Sequence, residues 1–302
     1  MKILVTGGSG MLGHCLMQAA APKHEVWGTY HNHRVELTYG PVVALDVTNE
    51  SAVRALFETI RPDIVIHTAA LTDVDECERN PEKAKAINSG GTAITAKAAE
   101  EVSARYVYIS TDYVFDGVLG DFDEKCAPGP VNQYGASKFL GEQLASQNNS
   151  RLLTIRTTIF GLKLPPLTGM MESMVAALRD GKPMTRFVDQ YFTPLYTGHL
   201  SDVILLLVEK QATGVYHVGA ADKMSRYEFT QQVAEVFGLE YAIIGQGPFH
   251  QIDGLARRPQ DTSLKSRRVV ERLGIKLPSV REGLRRLRND WPQSRGEGRV
   301  AY

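Results

Sequence analysis

The stretch Lys2-Ile3-Leu4-Val5-Thr6-Gly7-Gly8-Ser9-Gly10-Met11-Leu12-Gly13 decides the fold of this chain. Its apolar start predicts a buried strand, and the pattern from Met11 to Ala21 predicts a helix that ends before Pro22. Glycines at such a junction allow a tight turn and let the backbone approach a pyrophosphate, which the N–H groups at the helix start can bind. The glycines fit both GxGxxG and GxxGxxG, and their place between a strand and a helix predicts a dinucleotide-binding loop rather than a purely structural turn. The residues assigned to this loop are Gly7, Gly10, Met11, Leu12 and Gly13.

The residues that follow repeat the alternation of strand and helix. Apolar, β-branched runs predict strands at 3–5, 25–30, 42–46, 63–68, 106–110 and 152–156. Helical patterns occupy 11–21, 49–60, 81–102 and 133–147, the second with Thr48 or Asn49 as its N-cap. Strands that are apolar on both faces and are joined by helices indicate a parallel sheet covered on both sides. The predicted fold class is therefore α/β, a doubly wound parallel sheet of the Rossmann type.

After Gly161 the alternation gives way to loops and shorter helices. Helices are predicted at 172–179, 200–210 and 225–237, and one further buried strand at 215–218. We predict a dinucleotide-binding domain over residues 1–160, to which residues 196–219 return. Residues 161–302 are predicted to form a smaller C-terminal α/β lobe that binds the substrate.

Composition excludes several classes of protein. The 302 residues have a formal net charge of zero, which argues against a nucleic-acid partner. The longest aliphatic run, Val203 to Val208, is far shorter than the ~20 residues that span a bilayer. Three cysteines without a CxxC pair argue against a disulfide framework or a zinc site. We predict a soluble, cytoplasmic protein with neither a membrane nor a nucleic-acid partner and no bound metal.

The end of the second strand indicates which dinucleotide is bound. NAD enzymes usually place a carboxylate there, about 20 residues after the glycines, to hold the ribose hydroxyls. Here the segment Thr29-Tyr30-His31-Asn32-His33-Arg34 has no acid but has Arg34 and two histidines. This favours NADP, with Arg34 at its phosphate, over NAD, although a solvated loop cation would look the same.

The ends of the next two strands carry further candidates for cofactor contacts. Asp46, followed by Val47, can accept a hydrogen bond from an adenine amino group, and as a helix-capping residue it would look the same. Ala69, Ala70 and Leu71 end the fourth strand, where small residues let the cofactor pass. All of these residues are assigned to the cofactor site.

A possible proton donor lies on the helix after the fifth strand. Tyr134 and Lys138 are four residues apart and share a helix face. A lysine cation near the phenol would lower its pKa from the usual value near 10, and the lysine could also bind the nicotinamide ribose. Ser110 and Thr111 end the fifth strand, where side chains line the ligand crevice of such a sheet, with simple strand capping as the alternative. Tyr134, Lys138 and Ser110 are also assigned to the cofactor site.

These residues belong to a longer set that resembles the dTDP-4-dehydrorhamnose reductase family of extended short-chain dehydrogenases. The matching motifs are Ser110-Thr111-Asp112-Tyr113-Val114-Phe115-Asp116-Gly117, Asn132 with Tyr134-Gly135 and Ser137-Lys138, Leu71-Thr72-Asp73-Val74-Asp75, Asn88, and Arg258-Pro259. The resemblance implies a catalytic triad of Thr111, Tyr134 and Lys138. It implies hydride transfer from NADPH to C4 of a keto-deoxysugar on a nucleotide, with Asp112 touching the sugar.

The chain departs from the family pattern at a substrate segment. Ile159 stands where the family commonly has a tryptophan near the nucleotide sugar, and we assign it to the substrate site. Arg257 or Arg258 is expected to face the substrate pyrophosphate, because an arginine fork suits a diphosphate, and Arg258 is assigned to the substrate site. A relative without catalysis, the regulatory beta subunit of methionine adenosyltransferase, gives the alternative of an NADP-binding regulatory subunit. A third interpretation is an epimerase of the same superfamily. Because some relatives dimerise, this chain could also form a homodimer.

Overall fold

The computed structural model describes residues 1–165, 167–251 and 253–291. The strands are β1 (Lys2–Thr6), β2 (Glu25–Tyr30), β3 (Val42–Ala44), β4 (Ile64–His67), β5 (Arg105–Thr111), β6 (Leu153–Thr157), β7 (Ile159–Phe160), β8 (Met184–Phe187), β9 (Tyr191–Phe192), β10 (Leu195–Tyr196), β11 (Gly214–His217), β12 (Met224–Ser225) and β13 (Ile244–Gly247). The α-helices are α1 (Met11–Ala20), α2 (Glu50–Ile60), α3 (Val74–Arg79), α4 (Pro81–Ala84), α5 (Gly91–Glu101), α6 (Gln133–Asn148), α7 (Met170–Arg179), α8 (Thr197–Glu209), α9 (Arg226–Phe237), α10 (Arg267–Leu273) and α11 (Val280–Asn289).

Seven parallel strands form the central sheet in the order β11-β6-β5-β4-β1-β2-β3. The chain builds outward from β1 to β3, then returns to the other side of β1 and builds outward again from β4. Ligands of such sheets bind at the carboxyl ends of the strands near this change of direction. The doubly wound parallel sheet predicted from the sequence is confirmed.

Alternate residues of the central strands supply two separate cores. Ile3 and Val5 belong to the cluster that includes α1 and α8, whereas Leu4 belongs to the cluster on the other face with Phe57 of α2. Successive side chains of a strand point to opposite faces, so a strand buried on both sides needs apolar residues at every position. Strands buried on both faces therefore appear in the sequence as unbroken apolar runs, which is the pattern that predicted them.

The helix predicted over residues 81–102 is interrupted. Helix α4 ends at Ala84, a π-helical turn covers Lys85–Gly90, and α5 begins at Gly91. The side chain of Asn88, within the π turn, accepts a hydrogen bond from the Leu71 backbone N–H at 2.8 Å and donates one to the Ser137 hydroxyl at 3.0 Å. An inserted residue re-aims the side chains of a helix, and such turns recur at functional sites. A helical pattern in the sequence does not show this insertion.

The segment after β10 returns to the sheet, since α8 packs against α1 and β11 pairs with β6. The division into residues 1–160 and 161–302 stays a prediction, and residues 292–302 lie outside the described part of the chain. Within the described ranges, no helix combines the length and the apolar character that crossing a membrane requires. The same ranges contain no group of three or more His, Cys, Asp and Glu side chains arranged to hold a metal ion.

Candidate active site

The glycine loop between β1 and α1 is tightly folded. Gly7 has φ +75°, and its carbonyl accepts the N–H of Gly10 at 2.8 Å. A Cβ atom on Gly13 would lie 2.1 Å from the Gly7 carbonyl oxygen, so only glycine permits this approach of α1 to the loop. The Gly7 N–H donates to the hydroxyl of Thr29 at 3.1 Å, which ties the loop to β2. The start of α1 therefore faces the carboxyl end of the sheet.

A cleft of about 520 Å³ opens beside this loop. Among its lining residues are Gly7, Gly10, Asp46, Val47, Ala69, Ala70 and Leu71, all assigned to the cofactor site from the sequence. Three further residues assigned to the cofactor site lie behind the loop, in the first turn of α1. They are Met11, Leu12 and Gly13. The residues that follow β1, β3 and β4 thus lie together in the cleft, because the carboxyl ends of parallel strands share one edge of the sheet.

The far end of the cleft differs from the prediction. His31, Asn32 and His33 line it, whereas Arg34 does not; the side chain of Arg34 is exposed and reaches toward Glu36 at 3.9 Å. The Nε2 atom of His33 is buried without a hydrogen-bond partner. Because the loop turns after β2, the histidines face the cleft and the arginine faces solvent.

Asp46 both shapes the turn after β3 and faces the cleft. Its carboxylate accepts the backbone N–H of Thr48 at 2.9 Å and the Thr48 hydroxyl at 2.7 Å, and these bonds lower its pKa. The Nε2 atom of His31 lies 3.9 Å from the other carboxylate oxygen. Asp46 therefore lines the cleft and closes the turn after β3, whereas the N-cap of α2 is Asn49, whose side chain accepts the Ala52 N–H.

The predicted catalytic residues meet where β5 ends and α6 begins. Thr111 ends β5, and its hydroxyl donates to Asp112 Oδ1 at 3.1 Å and hydrogen-bonds the Tyr134 phenol. Asn132 caps α6 by accepting the Gly135 N–H at 2.9 Å, which places Tyr134 in the first turn of that helix. The ammonium of Lys138, one turn later, donates to the Ile109 carbonyl at 2.7 Å.

The electrostatics of Tyr134 and Lys138 differ from the prediction. Burial raises the pKa of Tyr134, opposed by its hydrogen bond with Thr111, and Lys138 is not among the groups that act on it. The ammonium of Lys138 instead lies 4.3 Å from the centre of the Tyr108 ring. Burial lowers the pKa of Lys138 to about 7. In the chain alone, burial outweighs the hydrogen bond from Thr111, and the pKa of the phenol is raised rather than lowered.

Ser110 also departs from its assignment to the cofactor site. Its hydroxyl is buried and donates to the Glu142 carboxylate at 2.5 Å. Neighbouring residues of a strand point to opposite faces, so Ser110 and Thr111 cannot both face the crevice. The structure places Thr111 with Tyr134 and places Ser110 beneath α6.

Asp112 is a buried carboxylate with spare hydrogen-bonding capacity. It is 2% exposed, and its Oδ2 atom has no hydrogen-bond partner. Burial raises its pKa to about 6, against the opposing effects of the Thr262 hydroxyl and the Arg226 charge. A buried acceptor left unpaired costs about 1–3 kcal/mol, so this oxygen is suited to a ligand hydroxyl.

A second cavity, of about 360 Å³, adjoins this centre through Tyr113. The ring of Tyr113 lines the cavity and contacts the Tyr134 ring edge-on at 5.9 Å between centroids. The other lining groups are three arginines, Arg186, Arg226 and Arg258, and apolar or aromatic side chains that include Met170, Met174, Phe187, Phe229 and Phe249. Cationic and apolar groups thus face the same space.

The arginines of this cavity are unequally paired. Arg258, assigned to the substrate from the sequence, forms an ion pair with Asp75 at 2.9 Å. Among the described residues, neither Arg186 nor Arg226 has a carboxylate within 4.0 Å, and burial together with the Arg226 charge lowers the pKa of Arg186. Arg226 instead stacks on Phe192 at 3.8 Å and hydrogen-bonds Tyr113. The cavity therefore contains positive charge that a bound anion could neutralise.

Ile159 is not among the lining residues of this cavity. It pairs with Leu195 between β7 and β10 and packs against the main core, where it is half-buried. Sequence reasoning missed Arg186 and Arg226, because neither belongs to a motif. Arg226 only follows Ser225, the N-cap of α9, and would be interpreted as a solvated helix cation.

Comparisons with known proteins identify the family of this chain. The family model described as "RmlD substrate binding domain" matches residues 1–291. A Haloferax volcanii protein named "Probable low-salt glycan biosynthesis reductase Agl14" is 31% identical over 290 residues, covering 94% of this chain and 96% of its own. The methionine adenosyltransferase 2 subunit beta of Xenopus tropicalis is 30% identical over 250 residues, covering 79% and 72%.

A solved structure shows the same fold along almost the whole chain. The crystal structure of dTDP-4-dehydrorhamnose reductase from Bacillus anthracis in complex with NADP superimposes with a TM-score of 0.86 and 28% identity, covering 96% of this chain and 99% of that one. The glycine loop, the Ser110–Gly117 motif and the Tyr134–Lys138 pair lie within the matched residues. This chain therefore belongs to the RmlD substrate binding domain family, the family of the dTDP-4-dehydrorhamnose reductases.

Proposed function

We propose that this chain is an NADPH-dependent reductase of a keto group on a nucleotide-activated sugar, of which a dTDP-linked 4-keto-6-deoxy sugar is the expected example. The observation that carries the proposal is the cluster of the Thr111 and Tyr134 hydroxyls beside the unpaired buried oxygen of Asp112. This cluster connects through Tyr113 to the cavity with the arginines. On the other side, Ser137 donates to the Tyr134 carbonyl and accepts from Asn88, which in turn bonds Leu71 in the glycine-loop cleft.

The cleft beside the glycine loop suits a dinucleotide. Gly7 and Gly13 keep side chains away from the loop, and the start of α1 offers N–H groups to a pyrophosphate. The reduced nicotinamide, when bound, supplies the hydride. Lys138 lies one helical turn from Tyr134 and would bind the nicotinamide ribose after releasing the Ile109 carbonyl. A family relative solved with NADP supports this cofactor, and NAD stays the alternative.

His33 is predicted to matter more than Arg34 for the choice of NADPH. We expect His33→Ala to weaken NADPH binding about tenfold, because a hydrogen bond to a charged phosphate contributes about 1.5–3 kcal/mol. Arg34→Ala, at an exposed side chain, should have a smaller effect. Titration of NADPH fluorescence measures both, with NADH as the control that lacks the phosphate. Equal losses for NADH and NADPH in His33→Ala would show that the histidine does not contact the phosphate.

The residues around the keto group have separate tasks. Thr111 would turn its one hydroxyl proton from Asp112 Oδ1 to the sugar carbonyl, and Tyr134 would deliver the proton to the new hydroxyl as hydride arrives. Above pH 6 the Asp112 carboxyl is ionised, so its free Oδ2 can accept a hydrogen bond from a sugar hydroxyl. Burial of the phenol keeps it protonated at neutral pH, as a proton donor requires.

The second cavity suits the nucleotide diphosphate. Arg186 and Arg226 provide charge without carboxylate partners, and arginine forks match phosphate oxygens. The aromatic rings of Phe187 and Phe249, whose centroids are 5.4 Å apart, offer a surface for the base. Met170 and Met174 complete an apolar wall.

Arg226→Ala is expected to raise KM for the nucleotide sugar and Kd for free dTDP about tenfold, since one charge-assisted hydrogen bond is lost. Arg285→Ala, at an exposed residue of α11, is the matched control and should leave both constants unchanged. Calorimetric titration of dTDP and UDP into both variants measures the effect. If both variants bind alike, the diphosphate lies elsewhere.

The proposal is tested by NADPH oxidation with a panel of dTDP- and UDP-linked 4-keto-6-deoxy sugars. We expect at least one to be reduced. The regulatory-subunit alternative is favoured by the likeness to methionine adenosyltransferase 2 subunit beta. That alternative predicts NADPH binding without turnover of any sugar, and this outcome would overturn the reductase proposal.

A further inference from the structure

Glu142 occupies a buried position that the proposed chemistry does not use. It follows Lys138 by four residues on α6, so Tyr134, Lys138 and Glu142 form one line along the helix. Its side chain is 7% exposed. It accepts hydrogen bonds from Arg156 Nε at 2.9 Å, from Arg156 Nη2 at 2.7 Å and from the Ser110 hydroxyl at 2.5 Å. One carboxylate therefore links α6 to both β5 and β6.

These bonds set the position of α6 relative to β5. Ser110 directly precedes Thr111, and Lys138 directly precedes the turn that ends at Glu142. A bidentate arginine fork defines both the position and the orientation of its carboxylate. The distance between Thr111 on β5 and Tyr134 on α6 therefore depends on the link between Glu142 and Ser110.

The surroundings of Lys138 make the charge of Glu142 important. The groups that face or act on its ammonium are His67 of β4, Tyr108 and the Ile109 carbonyl of β5, Cys77 of α3 and Glu142 of α6, with Arg156 of β6 behind Glu142. His67 is neutral, because burial and Lys138 lower its pKa to about 3. Burial raises the pKa of the Cys77 thiol to about 11, so that thiol is also neutral at pH 7.

Glu142 is thus the carboxylate that opposes the loss of the ammonium charge. Burial lowers the pKa of Lys138 to about 7, and Glu142 is the largest influence in the upward direction. Besides burial, the influences on the pKa of Lys138 are Glu142 and Cys77, and Arg156 lies behind Glu142 in an ion pair with it.

We propose that Glu142 is a positioning residue, which keeps the ammonium of Lys138 charged and holds α6 in register with Ser110 and Thr111 of β5. The kinetic part of this inference rests on the proposed reductase function, whereas the charge of Lys138 can be measured on the protein alone. Removing the carboxylate favours the neutral amine, so the titration of Lys138 moves to lower pH.

The experiment compares the titration of Lys138 in the wild type and four variants by NMR of ¹³Cε-labelled lysine, with Lys138→Arg to assign the signal. Glu142→Gln removes the charge but leaves Arg156 buried without its partner, which can itself unfold the chain. Glu142→Gln/Arg156→Met removes both charges, and such apolar replacement of a buried pair is often neutral for stability. Glu142→Asp keeps the charge. Glu172→Gln, at another buried glutamate, on α7, is the matched control.

We expect the Lys138 midpoint to fall by about one pH unit, a tenfold change in protonation, in the double variant. It should stay near the wild-type value in Glu142→Asp and in Glu172→Gln. The pH at which NADPH oxidation declines should fall together with the midpoint. An unchanged midpoint in the folded double variant overturns the proposal, and so does failure of that variant to fold, because the pair would then be needed for the fold itself. Failure of the reductase function removes the kinetic readout but leaves the titration unaffected.

Discussion

Tyr134→Phe should lower kcat for NADPH oxidation by about 10²–10⁴-fold while the affinity for NADPH changes little. This is the usual contribution of a positioned general acid. The phenol hydrogen-bonds Thr111 beside the unpaired oxygen of Asp112, so the proton to be delivered is on the Tyr134 oxygen. Steady-state kinetics at saturating NADPH, together with NADPH fluorescence titration, separates the loss of chemistry from the loss of binding.

Tyr113→Phe is the control for this experiment. Its ring packs edge-on against Tyr134, and its hydroxyl bonds Arg226 rather than Thr111. Loss of one hydrogen bond costs about 0.5–1.5 kcal/mol, so its effect should not exceed about tenfold and should appear mainly in KM. Equal losses of kcat in Tyr134→Phe and Tyr113→Phe would show that altered packing, and not the loss of a proton donor, lowers the activity.

Gly13→Ala is expected to weaken NADPH binding by about 100-fold and to lower the free energy of unfolding by about 1–3 kcal/mol, the usual effect of overpacking. The added Cβ would lie 2.1 Å from the Gly7 oxygen and 2.8 Å from the Gly8 Cα, so α1 must move away from the loop. That movement displaces the N–H groups that would bind the pyrophosphate. Thermal unfolding and NADPH titration measure the two effects.

Gly90→Ala provides the contrasting substitution. Gly90 has helical dihedral angles of φ −62° and ψ −50°, and the nearest atom to an added Cβ is the Lys85 carbonyl oxygen at 3.8 Å. Alanine in such a position is more stable than glycine by about 0.5–1 kcal/mol. A large loss of NADPH affinity in Gly90→Ala, equal to that in Gly13→Ala, would contradict the steric argument.

Patterns within short segments were sufficient for much of this protein. The parallel sheet, the glycine loop and the helix with Tyr134 and Lys138 were predictable, because burial on both faces and a strand-to-turn-to-helix junction depend on neighbouring residues. The capped helix that begins after Ser225 and ends before Gly238 was predictable for the same reason. The π turn at Asn88 was not, since its partners Leu71 and Ser137 are distant in the chain.

The positions of the site residues could likewise be predicted only where neighbouring residues in the chain determine them. Asp46, Ala69 and Ala70 lie in the predicted cleft because strand ends of a parallel sheet share one edge. The exposed position of Arg34 outside the cleft lining could not be predicted, because the direction of a side chain after a strand depends on how the loop turns. The cytoplasmic location and a homodimer stay predictions.

The charges of the candidate site depend on contacts between segments far apart in the chain. Arg186 and Arg226 meet in one cavity, Asp75 pairs with Arg258, and Glu142 joins Arg156. Burial then changes the pKa values of Asp112, Tyr134 and Lys138. Motifs state which groups are present, whereas burial and long-range pairing, which arise only when the chain has folded, decide which of them are charged and which atoms are free to bind.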